Sequence, residues 1–494
     1  VTNDGVTILE EMDIDNPTAE MIVQVAETQE DEAGDGTTTA VSIAGELLKN
    51  AEDLLDQDIH PTAMIKGFHL ASERAREEVD NVAHEIDPED TELLKQVAET
   101  SMTGKGAELE KEALAELVVN AVQAVTVETD DGEQIVDLEY VHTETQTGRS
   151  ASESELLAGG VIDKGPVSDE MPTAVDDAST LLLNEAIEIE EADVDTQVSI
   201  ESPDQLQEFL DQEEEQLKAK VDQIVESGAD VVFCQKGIDD MAQHYLAKEG
   251  ILAVRRTKKS DIGFLRDVVG GAVVSDVTSV TEADLGHGSV RRDADDDLFY
   301  VEGHGDEAHG VTLLLRGSTD HVVDEIERGV EDALDVVSTT VSDGRVVSGG
   351  GAIEVEVARK LRSYASTVSG REQLAVESFA DAVELVPRVL AGNAGLDSID
   401  TLVNIREAHE NDDVHAGLNV FTSDVENTFD AGVVEPAHSK EQALSSATEA
   451  ANLVLKIDDI IAADELSTSG DGDEGGAPGG AGGMGGMGGM GGAM

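Results

Sequence analysis

The stretch Gly34-Asp35-Gly36-Thr37-Thr38-Thr39 has the residue types and spacing of a loop that binds phosphate. Glycines on both sides of Asp35 let the backbone approach a ligand, and an apolar series at helical spacing follows the threonines. Three hydroxyls then lie where the free amides and the dipole of a helix favour an anion. A carboxylate there would repel bare phosphate, so Asp35 makes most sense as an oxygen ligand for Mg²⁺ that bridges to the phosphates. These six residues alone are equally typical of an ordinary threonine-capped helix start.

The composition predicts a folded and very acidic protein. The chain has 494 residues, and 31 Lys and Arg against 108 Asp and Glu give a net charge of −77. This charge disfavours nucleic acid as a partner, because a phosphate backbone would meet a like-charged surface. With 39% hydrophobic residues in periodic segments, the acidity indicates a surface adapted to high salt rather than intrinsic disorder. A chain of this length exceeds the size of a single core, so two or three domains are expected.

Cysteine usage and hydropathy predict a cytoplasmic protein. The single cysteine, Cys234, excludes an internal disulfide and fits a reducing compartment, and its apolar neighbours predict a buried strand position. No apolar run approaches the length of a membrane span, and no signal peptide opens the sequence. The chain begins in mid-pattern at Val1-Thr2 without a methionine, so we expect that an N-terminal segment is absent.

Helical and β-rich patterns follow one another in a nested order. Helical periodicity dominates residues 19–125, short β-rich runs alternate with helices over 160–315, and helical periodicity returns over 352–461. This order predicts a base domain from both chain ends, a hinge domain from two segments and a distal domain inserted between them. It would also bring Asp332 to Asp35, although Asp332 could be just another exposed acid of its helix.

Three further segments have a recognisable pattern. Ser202-Pro203-Asp204-Gln205 is a capping box that predicts a long amphipathic helix ending before Gly228, with an apolar stripe that is either core or a partner surface. Residues 470–494 form a Gly-rich tail with Gly-Gly-Met repeats, which has too few side chains to order itself. Asn3-Asp4-Gly5 is typical of a hairpin turn between two short strands, and Asp4 could simply serve that turn.

Several motifs together resemble the group II chaperonins, the archaeal thermosome and eukaryotic-cytosolic family, and the acidity resembles a halophilic archaeal member. The resemblance extends over essentially the whole chain. Its motifs are Thr2-Asn3-Asp4-Gly5, Gly34-Asp35-Gly36-Thr37-Thr38-Thr39, Ser101 to Gly106, Gln235-Lys236-Gly237-Ile238-Asp239-Asp240, Leu313-Leu314-Leu315-Arg316-Gly317, Glu331-Asp332-Ala333-Leu334 and Gly349-Gly350-Gly351-Ala352. Members of the family carry a further N-terminal segment, with a Leu-Gly-Pro phosphate loop and an intersubunit strand, that does not precede Val1.

The resemblance implies an ATP-driven protein-folding machine of two stacked rings, with a multidomain α+β fold in nested order. It implies a helical equatorial base domain, a small mixed intermediate hinge domain, an α/β apical domain with a helical protrusion, and a flexible tail. The implied bounds are 1–91 and 346–466 (equatorial), 92–159 and 313–345 (intermediate), 160–312 (apical), about 196–227 (protrusion) and 467–494 (tail). The protrusion would be a built-in lid that removes the need for a detachable co-chaperonin. The implied partners are unfolded or partly folded polypeptides and homologous subunits, with neither nucleic acid nor membrane.

The resemblance also implies roles for individual residues around ATP and Mg²⁺. Asp4 would lie near the γ-phosphate and the attacking water, and Asp332 would arrive with the intermediate domain to orient or deprotonate that water. The other assignments are Asp35 as the Mg²⁺ ligand, Gly36, Thr37, Thr38 and Thr39 at the phosphates, Lys105 as sensor of the γ-phosphate, Gly350 and Gly351 against the nucleoside, and Glu435 at the ribose. Hydrolysis needs a metal to neutralise phosphate charge and a carboxylate to place water in line, so these residue types fit the chemistry.

Two other classes of function can be compared with the folding ATPase. A non-hydrolysing ring scaffold or holdase would bind unfolded chains without turnover, whereas the retention of Asp4, Asp35 and Asp332 together favours the enzyme. A metabolic kinase or P-loop ATPase is excluded because the sequence has no G-x-x-x-x-G-K-[ST] motif.

Overall fold

The computed structural model describes residues 8–9, 12, 14, 16–104, 110–129, 134–189, 203–293, 296–304 and 309–457. Asp4, Lys105, the first part of the predicted protrusion and the Gly-Gly-Met tail therefore lie outside the described residues. Ile8 and Leu9 are helical, so the strand predicted after Asn3-Asp4-Gly5 is wrong at these two positions.

Helices and short strands alternate in the order that the sequence predicts. The elements are α1 (Pro17–Ala33), α2 (Thr37–Asp56), α3 (Pro61–Val82), β1 (His84–Glu85), α4 (Thr91–Ser101), α5 (Lys111–Val125), β2 (Thr126–Glu128), β3 (Gln134–Val136), β4 (Val141–Thr147), β5 (Glu155–Ala158), β6 (Gly160–Ile162), β7 (Ala174–Leu183), α6 (Pro203–Ser227), β8 (Val231–Cys234), α7 (Asp240–Glu249), β9 (Leu252–Val254), α8 (Lys259–Val269), β10 (Val273–Val274), β11 (Gly286–Arg292), β12 (Phe299–Gly303), β13 (Val311–Gly317), α9 (Asp320–Asp343), β14 (Arg345–Ser348), α10 (Ala352–Ala365), α11 (Glu372–Val383), α12 (Leu385–Asn393), α13 (Ser398–Glu410), β15 (Ala416–Asn419), β16 (Asp424–Asn427), β17 (Val434–Pro436) and α14 (Ala437–Leu455). Within the described ranges, no helix has both the length and the apolar composition needed to cross a membrane.

Helices from the two ends of the chain share one hydrophobic core. Buried residues recur on one face of each helix, as Ile43, Leu47 and Leu54 do on α2, because only an apolar stripe at helical spacing can face a core. Phe68 of α3 packs against Phe379 of α11, with 6.2 Å between the ring centroids, and both belong to this core. The antiparallel sheet β1-β14-β17 joins the same two parts of the chain.

A second core lies between α4, α5 and α9 and a three-stranded sheet. In that sheet β13 runs parallel to β4 and antiparallel to β5. Val97, Val118, Leu313 and Val330 are among its buried members, so helices from both sides of the α/β segment contribute to it.

The α/β segment has its own sheet and its own core. The strand order is β6-β12-β11-β7-β8-β9, with β10 pairing β7, and β7, β8 and β9 are parallel. Strands buried on both faces are continuous apolar runs, and β8 with its buried Cys234 is one, as the sequence predicts. Helices α6, α7 and α8 contribute buried residues to this core.

The helix α6 begins at Pro203 and ends at Ser227, as the capping box and Gly228 predict. The apolar stripe of α6, which the sequence left as either core or a partner surface, is core over its C-terminal half. Leu217, Val221 and Ile224 are at most 2% exposed and belong to the α/β core, whereas the nearby Val225 is 38% exposed. The C-terminal half of the stripe is therefore core and is not available to a partner.

Several of the chain's few cationic side chains form ion pairs in which at least one partner is buried. Arg316 of β13 is 4% exposed and binds the carboxylates of Asp296, at 2.9 Å, and Glu155, at 2.7 Å. In the helical core, Glu384 accepts hydrogen bonds from Arg362 and Arg406. Burial favours the neutral form of Glu384, but the two guanidinium groups outweigh it and lower the pKa of this carboxyl. Removing one partner of such a pair would leave a buried charge uncompensated.

Candidate functional site

The loop Gly34–Thr39 turns sharply into α2. Gly34 and Gly36 have φ values of 63° and 86°, which side chains with a Cβ rarely adopt. The N-cap residue is Gly36, which has no side chain to cap the helix, and the three threonines are the first three residues of α2. The alternative of a threonine-capped helix start is therefore wrong. Gln29 of α1 supports the turn, because its side-chain amide donates to the Asp35 carbonyl oxygen at 2.8 Å.

A cleft of about 570 Å³ opens beside this loop. That volume lies within the range of about 300–1,000 Å³ that is usual for small-ligand sites. The predicted site residues that line the cleft are Asp35, Thr38, Thr39, Gly350 and Glu435. Gly36, Thr37 and Gly351 are direct neighbours of lining residues in the chain. The structure thus brings together three segments that are far apart in the sequence, as the nested order predicts.

The helix α9 reaches the loop with its acidic face. A Cβ added to Gly34 would lie 2.4 Å from Asp335 Cβ, so α9 packs directly against the loop, and Val336 lines the cleft. Asp332 precedes these two residues by three and four positions, so it lies on the same face of α9, one turn away. It is half-buried and does not itself line the cleft. Desolvation and the neighbouring carboxylates of Glu327 and Asp332 raise the pKa of Glu331, which shows how acidic this face is.

The glycine turn after β14 forms a wall of the cleft through backbone alone. Gly350 and Gly351 have φ values of 67° and 81°. A Cβ on Gly350 would lie 2.4 Å from the carbonyl oxygen of Leu418, and the Leu418 amide donates to the Gly350 carbonyl at 2.8 Å. A ligand at this turn would meet peptide groups rather than side chains.

Glu435 belongs to a buried charge network. Lys440 of α14 binds the carboxylates of Glu435 and, at 2.9 Å, Glu354. Burial raises the pKa of Glu435 while Lys440 lowers it, and the raising effect is larger. Burial would lower the pKa of Lys440, but the two carboxylates outweigh it and raise that pKa. Lys440 therefore determines where the Glu435 side chain lies in the cleft.

Replacing Lys440 with methionine should destabilise the chain by about 3 kcal/mol, because the buried carboxylate of Glu354 and the partly buried carboxylate of Glu435 would lose their shared cation. The midpoint of chemical denaturation at high salt measures the loss. Lys49→Met is the matched control, since Lys49 is 67% exposed in its pair with Glu46, and it should change stability by less than about 1 kcal/mol. Adding Glu354→Gln to Lys440→Met should recover part of the loss. Equal midpoints for the two single variants would contradict the structural role of Lys440.

Sequence reasoning missed several residues of the cleft. Lys111 Nζ lies 4.7 Å from the centre of the Phe421 ring and donates to Thr103 Oγ1 at 3.2 Å, and all three residues line the cleft. Asn393 and Asn419 add amide groups to the lining. Thr103 lies within the motif Ser101 to Gly106, but Lys111, Phe421, Asn393 and Asn419 stand in none of the motifs; the signal for Lys111 is that it is a cation at the start of a helix in a chain with few cations.

Comparison with known proteins identifies the family. The TCP-1/cpn60 chaperonin family model matches residues 1–465. Thermosome subunit 2 of Haloferax volcanii is 76% identical over 479 residues, which cover 97% of this chain and 86% of that relative. Thermosome subunit beta of Halobacterium salinarum is 72% identical over 469 residues, covering 95% of this chain and 84% of that relative. The open-state monomer of a group II chaperonin from Methanococcoides burtonii matches with a TM-score of 0.66 at 41% identity, over 86% of this chain and 100% of that chain. The chain belongs to the TCP-1/cpn60 chaperonin family.

The coarse function follows from this membership. The chain is an ATP-hydrolysing chaperonin that assists protein folding, and the resemblance to group II chaperonins of halophilic archaea is confirmed. A non-hydrolysing scaffold is not favoured. Membership also implies an oligomeric assembly that binds unfolded substrates.

Proposed function

We propose that the cleft binds ATP together with Mg²⁺, and that hydrolysis at this site drives the enclosure of unfolded polypeptides in a double-ring cavity. The observation that carries the proposal is the packing of α9, with Asp332 one turn away, against the loop that holds Asp35. The loop adjoins α2, which belongs to the helical core, whereas α9 belongs to the second core. The site is therefore complete only when these two parts of the chain come together. Hydrolysis is then coupled to a change in domain position.

The residues present fit a magnesium–nucleotide complex. Asp35 faces the cleft beside a helix start whose first amides are not capped by the N-cap residue, so an oxygen ligand and phosphate donors lie side by side. Bound Mg²⁺ would neutralise phosphate charge for an in-line displacement. Asp35 would hold the ion, Gly36 to Thr39 the phosphates, and Gly350, Gly351 and Glu435 the nucleoside. Asp332 would orient the attacking water or accept its proton.

Asp4 and Lys105 remain parts of this proposal, since both lie outside the described residues. Asp4 would support the attacking water from the N-terminal side, and Lys105 would sense the γ-phosphate. Lys111, the first residue of α5, lines the cleft and is a further cation for stabilising phosphate charge.

The domain division is proposed with the bounds implied by the resemblance. The helical core of both chain ends would be the equatorial domain, the core around α4, α5 and α9 the intermediate domain, and the α/β core the apical domain. The three separate cores support this division. The segment 196–227 would be the protrusion, whose part before Leu217 would form a built-in lid that replaces a detachable co-chaperonin, and the Gly-Gly-Met tail would contact clients. A cytoplasmic location with homologous subunits as ring partners completes the proposal.

The test is Mg²⁺-dependent ATP turnover and client refolding by the Asp35→Asn variant in high salt. Loss of the metal ligand should lower turnover by about 100-fold, since metal stabilisation of phosphate charge contributes several kcal/mol and each 1.36 kcal/mol is about tenfold. Asp53→Asn, an exposed acid on the same helix α2, is the control and should keep wild-type activity. Refolding by the wild-type chain that is equally efficient with ATP and without nucleotide would favour the holdase and contradict the proposal.

A further inference from the structure

Two imidazoles from distant parts of the chain meet outside the nucleotide cleft. His84 lies in the short strand β1 and is exposed, and His415 directly precedes β15 and is half-buried. Their Nε2 atoms are 3.4 Å apart. The ring centroids are 5.0 Å apart, so the rings meet through their nitrogen edges rather than face to face.

The separation of the two nitrogens matches that of two ligands of one tetrahedral metal ion. Imidazole nitrogens lie about 2.0–2.1 Å from Zn²⁺, and two such ligands at the tetrahedral angle are about 3.3–3.4 Å apart. The same separation would also fit a single N–H···N hydrogen bond between the rings, so the distance needs independent support.

The surroundings of His415 supply that support. Its Nδ1 lies 2.7 Å from Ser348 Oγ. An Nδ1–H that donates to this hydroxyl leaves the lone pair on Nε2, which is the tautomer that a metal ligand requires.

Packing also fixes the orientation of both rings. Phe429 lies against His84, at 4.5 Å between ring centroids, and against His415, at 5.6 Å. The neighbouring His409 holds the start of β15, because its Nε2–H donates to the Ala416 carbonyl at 2.8 Å while its Nδ1–H donates to the Glu356 carboxylate at 2.9 Å. The two Nε2 atoms are thus preorganised, which reduces the entropy that an ion must overcome to bind them.

We propose that His84 and His415 form a surface site for a divalent transition metal ion of the Zn²⁺ class, with water in the remaining coordination positions. Within the described ranges no group of three or more His, Cys, Asp or Glu residues is arranged as a metal centre, so this is a two-ligand site. Imidazole selects Zn²⁺ over the Mg²⁺ that carboxylate sites prefer.

A bound ion would connect β1 to the segment before β15. Ser348, which orients His415, directly precedes the glycine turn that forms one wall of the nucleotide cleft. The ion would therefore restrain both the edge of the β1-β14-β17 sheet and that turn.

The test is calorimetric titration of the full, metal-free chain with Zn²⁺ in high salt and a large excess of Mg²⁺. The Mg²⁺ occupies surface carboxylates but competes poorly for imidazole. We expect one Zn²⁺ per chain, with an affinity that falls by at least about tenfold in His84→Phe, since one of the two ligands is lost. Phenylalanine keeps a ring beside Phe429 and removes only the nitrogen.

One further variant tests whether another histidine accounts for the binding, and a second tests the role of Ser348. His244→Gln removes an exposed imidazole of α7 and should leave the titration unchanged. Ser348→Ala removes the group that orients His415 and should weaken binding by about 10-fold or more without abolishing it. Identical titrations for the wild-type chain and His84→Phe, or Zn²⁺ binding that excess Mg²⁺ suppresses completely, would overturn the proposal and leave a hydrogen-bonded imidazole pair.

Discussion

Replacing Asp332 with alanine is expected to lower the rate of ATP hydrolysis by about 100-fold or more, because a positioned carboxylate that orients or deprotonates water contributes about 10²–10⁴ in rate. ATP affinity should stay close to that of the wild type, because Asp332 lies one turn of α9 away from the residues that line the cleft. Single-turnover hydrolysis and equilibrium binding, measured on the same preparation at high salt, separate the two quantities.

Two matched variants show whether the effect is chemical. Asp332→Asn keeps the shape of the side chain and removes its basicity, so it should be nearly as slow as the alanine variant if proton transfer matters. Asp324→Ala removes an exposed acid from the same helix, about two turns earlier, and should hydrolyse ATP at the wild-type rate. Wild-type turnover in Asp332→Ala would exclude Asp332 from the reaction, and a parallel loss of binding would assign it to nucleotide affinity instead.

Replacing Gly350 with alanine is expected to weaken ATP binding by at least about tenfold, or about 1.4 kcal/mol. The added Cβ would lie 2.4 Å from the carbonyl oxygen of Leu418, and backbone on both sides must move to relieve the contact. Leu418 lies directly beside Gly350 and lines the cleft together with Asn419 and Phe421, so the displacement changes the shape of the binding site itself. Titration of ATP in the presence of Mg²⁺ measures the effect.

Gly228→Ala controls for backbone strain in this experiment. Gly228 also has a positive φ, 84°, but a Cβ there would meet no atom within 4 Å. Both variants carry the left-handed penalty of about 1–2 kcal/mol in stability, and only Gly350→Ala also has the steric contact. If the two variants bind ATP equally well, the close approach to Leu418 does not shape the cleft.

The sequence predicted the parts of the fold that local patterns determine. Three elements depend only on residues within or next to themselves. They are the helix α2 that begins within Gly34–Thr39, the long helix α6 between its capping box and Gly228, and the buried strand around Cys234. The nested order of helical and β-rich segments also predicted that the two ends of the chain would share a core. Phe68 from one end packs against Phe379 from the other in that core.

Other features could not be predicted because they depend on which elements meet. Lys111, Asn419 and Phe421 contribute to the cleft only through the packing of distant segments, and their own neighbours in the sequence carry no motif. The stripe of α6 has the same pattern whether it faces a core or a partner. Its packing on the α/β sheet shows that Leu217, Val221 and Ile224 are core residues. The pairing of Glu435 with Lys440 and Glu354 likewise needs three elements in place.

The pairing of Arg316, Arg362 and Lys440 has a consequence for how the protein responds to its medium. The chain has only 31 Lys and Arg for 108 acids, and these three cations are each held against two carboxylates, with Arg316 buried and the other two partly buried. With 31 Lys and Arg against 108 Asp and Glu, the surface carries a large excess of negative charge, which depends on dissolved cations for screening over about 10 Å at 0.1 M salt and about 3 Å at 1 M. Dilution therefore acts mainly on the surface, where dissolved cations balance the excess, and less on the buried pairs of Arg316, where the counter-charge is covalently part of the chain.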